Sequence, residues 1–176
     1  MELGALGLVV ALGLHRGLRA RLPGLGVKWP NDLVVQGRKL GGILCESRWQ
    51  GQRVEVVVGV GINVTTRSWP EDLAGIAVSI GELAAGPWHT DQILVELLPD
   101  LESVLDEFIV GGFAPLQAEY ERVCVSLGRP ATVSDGTGNK VRWACADGID
   151  ATGALWVRDE SGRRERVCAG ELLLLR

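Results

Sequence analysis

The sequence predicts an α+β protein: a mixed or antiparallel sheet with flanking helices, followed by a small β-barrel. Three observations carry this. Residues 3–22 are apolar on nearly all sides, as a buried helix is. Residues 27–64 hold Val- and Ile-rich runs joined by turns too short for a parallel crossover. Residues 128–176 show five short strand-like runs and no helical period. A chain of 176 residues, 47% apolar and 23% charged, has room for one full domain and a small appendage. The division expected is 1–127 and 128–176.

Each element has a local reason. Arg16, Arg19 and Arg21 close the first helix, where cations suit the macrodipole, and Pro23-Gly24-Leu25-Gly26 ends it. Strands follow at 33–36, 39–49 and 53–64, with turns at Gly37-Arg38 and Gly51-Gln52, so an antiparallel meander is expected. Residues 65–77 read as a loop broken by Trp69-Pro70, and 78–85 as a short helix stopped by Gly86-Pro87. Thr90 with Asp91 predicts the cap of a longer helix whose apolar positions are Ile93, Leu94, Leu97, Leu98, Leu101, Leu105 and Phe108. Pro99 is expected to kink or restart it. In the tail, turns are predicted at Asp135-Gly136, Asp147-Gly148, Thr152-Gly153 and Ser161-Gly162, the size and pattern of an SH3-like barrel with Trp143 and Trp156 packed inside.

Composition excludes several functions. A formal net charge of −4 argues against broad binding to a phosphate backbone. The apolar run 3–14 is too short for a bilayer span, and Glu2 rather than a basic residue precedes it, so neither membrane anchor nor signal peptide is expected and the predicted location is cytoplasmic. Cys45, Cys124, Cys145 and Cys168 form no C-x-x-C pair; they read as reduced, mostly buried thiols rather than as a metal site. No P-loop and no nucleophile elbow occurs. Of 18 basic residues only Lys28, Lys39 and Lys140 are lysines, so a lysine here is expected where a compact ammonium is needed.

The chemistry concentrates in two clusters. Lys28-Trp29-Pro30-Asn31-Asp32-Leu33 is followed by Arg38-Lys39-Leu40-Gly41-Gly42-Ile43-Leu44. By spacing alone the first is a type I turn and the glycine pair a strand bulge. Taken together, they would present a carboxamide, a carboxylate and an ammonium beside bare backbone, which suits a transition state that gathers negative charge. In Val58-Gly59-Val60-Gly61-Ile62-Asn63-Val64, glycines at alternate positions share one strand face. That face either packs tightly on another backbone or forms a floor for a flat ligand.

These three motifs, in this order, resemble the core of the biotin protein ligases (biotin–[acetyl-CoA-carboxylase] ligases). Gly128-Arg129-Pro130, Gly148-Ile149-Asp150, Gly153-Ala154-Leu155 and Ala169-Gly170-Glu171 look like landmarks of that family's C-terminal domain. The resemblance implies a class II synthetase-like core that makes biotinyl-5′-AMP from biotin and ATP with Mg2+. It then passes biotin to a lysine of a biotin carboxyl carrier protein. Carried over by motif, Lys39 and Asp32 are the catalytic residues. Lys39, Gly42 and Ile43 bind biotin, and Asn31, Asp32, Lys39, Gly61 and Asn63 bind ATP; no resident metal is implied, and a homodimer is left open. The family's Ser-Thr segment, its Gly/Arg-rich loop and the DNA-binding helix-turn-helix of some members do not occur in these 176 residues. The core is therefore expected to be truncated, its first helix left exposed, and the chain inactive alone. A non-catalytic docking homologue and a lipoate-ligase relative are the alternatives.

Overall fold

The computed structural model describes residues 3–134 and 142–174. The turn expected at Asp135-Gly136, Lys140 and the packing of the Trp143 side chain lie outside the described residues. After a 3₁₀ turn at Leu3–Ala5, helix α1 (Leu6–Leu18) leads into strands β1 (Leu25–Lys28), β2 (Asp32–Val35), β3 (Arg38–Gln50) and β4 (Arg53–Ile62). These form a four-stranded sheet in sequence order, antiparallel throughout, as the short turns require. β1 begins inside the Pro23–Gly26 segment expected to end the first helix and continues into the strand region expected from Val27. The tight turn before β3 falls at Gln36-Gly37, both at positive φ, rather than at Gly37-Arg38. Such φ values match the right-handed twist of a two-residue hairpin.

Helices α2 (Ile80–Leu83), α3 (Thr90–Gly111) and α4 (Ala114–Val123) follow. Helix α3 passes through Pro99 without restarting, and its cap position is His89, with no side-chain capping bond, rather than Thr90. Ile93, Leu97, Val104 and Phe108 are buried, while Leu94 and Leu98 lie on the exposed side. Helix α1 is not left exposed. Leu8, Val9, Val10, Ala11, Leu12 and Leu14 are all at most 3% accessible, covered by α3, α4 and the sheet. Close approach to α3 explains this, because Gly13 and Gly17 present bare backbone to Val104, Leu101 and Leu97. Between α3 and β4, an apolar groove lined by Val58, Val60, Leu98, Leu101, Leu105 and Ile109 is open to solvent. No helix among the described residues is long and apolar enough to cross a membrane.

The tail holds β5 (Pro130–Ser134), β6 (Arg142–Ile149), β7 (Leu155–Arg158), β8 (Arg164–Val167) and β9 (Glu171–Leu174). Five strands were expected, but the barrel does not close among the described residues. The order is β8-β7-β6-β5-β9, and the edge strands β8 and β9 do not pair with each other. Both sheets feed one hydrophobic core that runs from Ala5 to Leu172. Trp29, 1% accessible, joins them: its backbone N–H donates to Ser126 Oγ at 3.0 Å and its indole N–H to the Gly153 carbonyl at 3.1 Å. Of the four free thiols only Cys124 is buried, while Cys45 and Cys168 are exposed. Cys45 lies near the middle of long β3 and Cys168 follows β8, where little covers them.

Candidate active site

One irregularity in the sheet brings the charged residues together. β2 pairs with β3 as Leu33↔Gly41 and then Val34↔Lys39, which leaves Leu40 as an extra residue in β3. A bulge shifts the alternation of side chains by one. Lys39 and Gly42 would otherwise point to opposite faces. With Leu40 fully buried between them, both fall on the face of Asp32, whose register partner is Gly42. There Lys39 Nζ lies 2.5 Å from Asp32 Oδ1, and Lys28 Nζ lies 3.8 Å from Asp32 Oδ2. A methyl group at Gly42 would sit 3.2 Å from Lys39 Nζ and 3.4 Å from Asp32 Oδ1, so bare backbone is what leaves room for the pair.

The Lys39 main chain is held on its other side. Its N–H donates to the Ile76 carbonyl at 2.7 Å, and its carbonyl accepts from the Val78 N–H at 2.9 Å. The loop expected over 65–77 thus contains part of this clamp, and the short apolar run Ile76-Ala77-Val78 after Gly75 is its signal in the sequence. Asn63 closes the clamp, its amide donating to the Val78 carbonyl at 3.1 Å and its backbone N–H to the Leu40 carbonyl at 2.9 Å. Asn31 staples the preceding turn to β3. Its amide donates to the Ile43 carbonyl at 2.8 Å, and its carbonyl accepts from the Ile43 N–H at 2.9 Å. The turn spans residues 29–31 with a cis Trp29–Pro30 peptide, so it is not type I, and Asp32 already belongs to β2.

Gly42, Gly59 and Gly61 form a strip without side chains, since Gly61 stands opposite Gly42 and Gly59 opposite Leu44. Both β4 glycines are exposed, and a methyl at Gly61 would meet no atom closer than 4.0 Å. This face is open rather than packed on another backbone. The Ile43 side chain points the other way and is 3% accessible in the core. In the protein interior near Asp32, burial pushes the Tyr120 phenol well above its ordinary range, with Cys124 and Asp32 adding to the effect. Burial likewise raises the Cys124 thiol, so neither group offers an anion at neutral pH. The arrangement can therefore seat an anion against the Lys39 ammonium, over a flat backbone floor, with a carboxylate at its side.

Residues 7–63 match the model of the Biotin/lipoate A/B protein ligase family. The chain is 35% identical over 167 residues to the biotin–[acetyl-CoA-carboxylase] ligase of Paracoccus denitrificans, covering 91% of this chain and 66% of that protein. It is 30% identical over 139 residues to the bifunctional ligase/repressor BirA of Bacillus spizizenii, covering 77% of this chain and 42% of that protein. Among solved structures, the biotin protein ligase of Aquifex aeolicus in complex with biotin and ATP superposes with a TM-score of 0.84 at 26% identity. That match covers 100% of this chain and 73% of its own. The chain belongs to the biotin protein ligase family.

Proposed function

We propose that this chain carries the adenylation and transfer site of a biotin–[acetyl-CoA-carboxylase] ligase. The observation that carries the reading is the Lys39 ammonium, half exposed beside Asp32, at the edge of the glycine floor. The relative solved with biotin and ATP, and relatives named for the ligase activity, support it. In this reading the biotin carboxylate attacks the α-phosphorus of ATP, which arrives with Mg2+. The bond to pyrophosphate breaks and biotinyl-5′-AMP forms. A lysine amine of a biotin carboxyl carrier protein then attacks the acyl carbon, an amide forms, AMP leaves, and the amine's proton passes to solvent.

Lys39 opposes the repulsion between two anions in the first step and neutralises the α-phosphate as charge gathers there. Asp32 attracts the incoming acceptor ammonium in the second. Gly42, with the backbone at Ile43, walls the biotin side, and Gly61 and Asn63 lie toward the nucleotide. Asn31 keeps the turn and β3 in register beneath the phosphates. The tail sheet corresponds to the family's small SH3-like barrel, as a second domain spanning 128–176.

The relatives carry further chain of their own, and the reading expects the catalytic charge to be completed by it. The test incubates purified chain with biotin, MgATP and a carboxyl carrier domain, with and without the additional N-terminal segment of a relative, and probes the carrier for biotin. Labelling is expected only with the segment. No labelling under either condition overturns the ligase reading; labelling by the chain alone overturns the need for the segment.

A further inference from the structure

We propose that Lys28 is a positioning residue for Lys39, acting through Asp32; this rests on the ligase reading above. Lys28 and Asp32 are register partners at the ends of the β1–β2 hairpin, so the fold itself sets them side by side. Asp32 stands between two ammoniums, Lys28 on Oδ2 at 3.8 Å and Lys39 on Oδ1 at 2.5 Å. Their settings differ. The side chains of Lys28 and Asp32 are 20% and 15% accessible, whereas that of Lys39 is 50% accessible over the open floor. Asp32 Oδ1 is sealed from solvent, and its contact with Lys39 lacks hydrogen-bond geometry.

The charge count explains why two lysines are needed. With one carboxylate and one lysine, the pair is neutral and the ammonium is committed to its partner. With Lys28 taking a share of the carboxylate, the cluster keeps one net positive charge, and Lys39 is the member exposed to deliver it to an anionic ligand. Lys28 works at 3.8 Å, beyond hydrogen-bond distance, so its contribution is charge rather than directed geometry. Tyr120 and Cys124, both buried, also lie near Asp32, and Arg129 lines the same cavity as Lys28.

The three lysines make a direct test practical, because each amine can be followed separately. The 176-residue chain is acetylated with a trace of acetic anhydride at fixed pH, and the rate at each lysine is read by peptide mass spectrometry. Lys28→Met keeps the stem and removes the charge. Lys39 is then expected to be held more firmly by Asp32, and to acetylate about threefold more slowly. Lys28→Arg, which keeps the charge, is expected to restore the wild-type rate. An unchanged Lys39 rate in Lys28→Met, or the same loss in Lys28→Arg, overturns the proposal. Should Lys28→Met fail to fold, Asp32→Asn decides: both Lys28 and Lys39 must react faster, and acceleration of Lys39 alone overturns it. The readout needs neither ATP nor carrier, so failure of the ligase assay leaves this result interpretable.

Discussion

Lys39 is useful because its backbone is pinned on both sides while its side chain is half exposed. Hydrogen bonds to Ile76 and Val78 hold the main chain, and the ammonium at the end of a flexible stem faces solvent beside Asp32. Lys39→Ala is expected to leave the fold intact and to lower adenylate formation by about 10²–10³, as loss of a donor to a developing anion does. Lys39→Arg is expected to fail as well, because a planar fork does not replace a compact ammonium between two anions. Pyrophosphate release in the completed assay checks both, with circular dichroism to confirm folding; near-normal rates for the arginine variant would remove Lys39 from its assigned role. Lys39 and Asp32 were legible from residue type and motif. The glycine pair signalled a bulge nearby, but the register that lodges the extra residue at Leu40 and turns Lys39 to the face of Asp32 is set by pairing with β2.

At the scale of elements, the helices are held by close approach and by one arginine. Arg16 of α1 makes two bonds to Glu119 of α4, at 2.9 and 2.6 Å, and one to Glu107 of α3 at 2.7 Å. The glycines of α1 matter as much, since a methyl at Gly13 would lie 2.7 Å from Val104 and 3.3 Å from the Asp100 carbonyl. Gly13→Leu should therefore cost about 1–3 kcal/mol by overpacking, despite improving helix propensity. A urea midpoint shifted upward would refute the close packing. These glycines were visible in the sequence, but their partner face on α3 was not.

The loop after β6 supplies a pH dependence. Asp150 accepts from the Thr152 N–H at 2.8 Å, the Thr152 hydroxyl at 2.6 Å, the Ala154 N–H at 3.1 Å and Arg166 at 2.6 Å. Burial would raise its carboxyl, but Arg166, Thr152 and the backbone amides outweigh that and hold it at about 2. A carboxyl depressed below its unfolded value of ~3.9 contributes stability that is full above pH ~4 and is lost as pH falls through about 2. Asp150→Asn should thus be less stable than wild type at neutral pH, with the gap closing toward pH 2. Denaturant midpoints across that range check it, and a gap independent of pH would contradict it.

For the whole molecule, the question is how firmly residues 128–176 are joined to the rest. Trp29 crosses the boundary with one hydrogen bond, from its indole N–H to the Gly153 carbonyl, and a buried ring, and Gln117 and Glu121 of α4 bond Ile149 in β6. Trp29→Phe keeps most of the apolar fill but leaves the Gly153 carbonyl without its indole donor. The expected cost is about 1–3 kcal/mol. Limited proteolysis should then cut faster near 127–129 than in wild type. Cutting elsewhere, with that junction untouched, would mean that 1–127 and 128–176 do not separate as units.

The sequence by itself determined the α+β class, the antiparallel order of the three strands that become β2, β3 and β4, the long helix and the identity of the charged residues. These follow from local periodicity, turn length and side-chain chemistry, all of which are written along the chain. Tertiary structure alone decided that α1 is buried through its glycines, that the tail sheet does not close among the described residues, and that Ile76–Val78 clamps Lys39. It alone placed Lys28, Asp32, Lys39 and Gly42 on one face. Each of these depends on contacts between distant segments or on a single inserted strand residue, and a one-residue shift in a strand reverses which side chains meet.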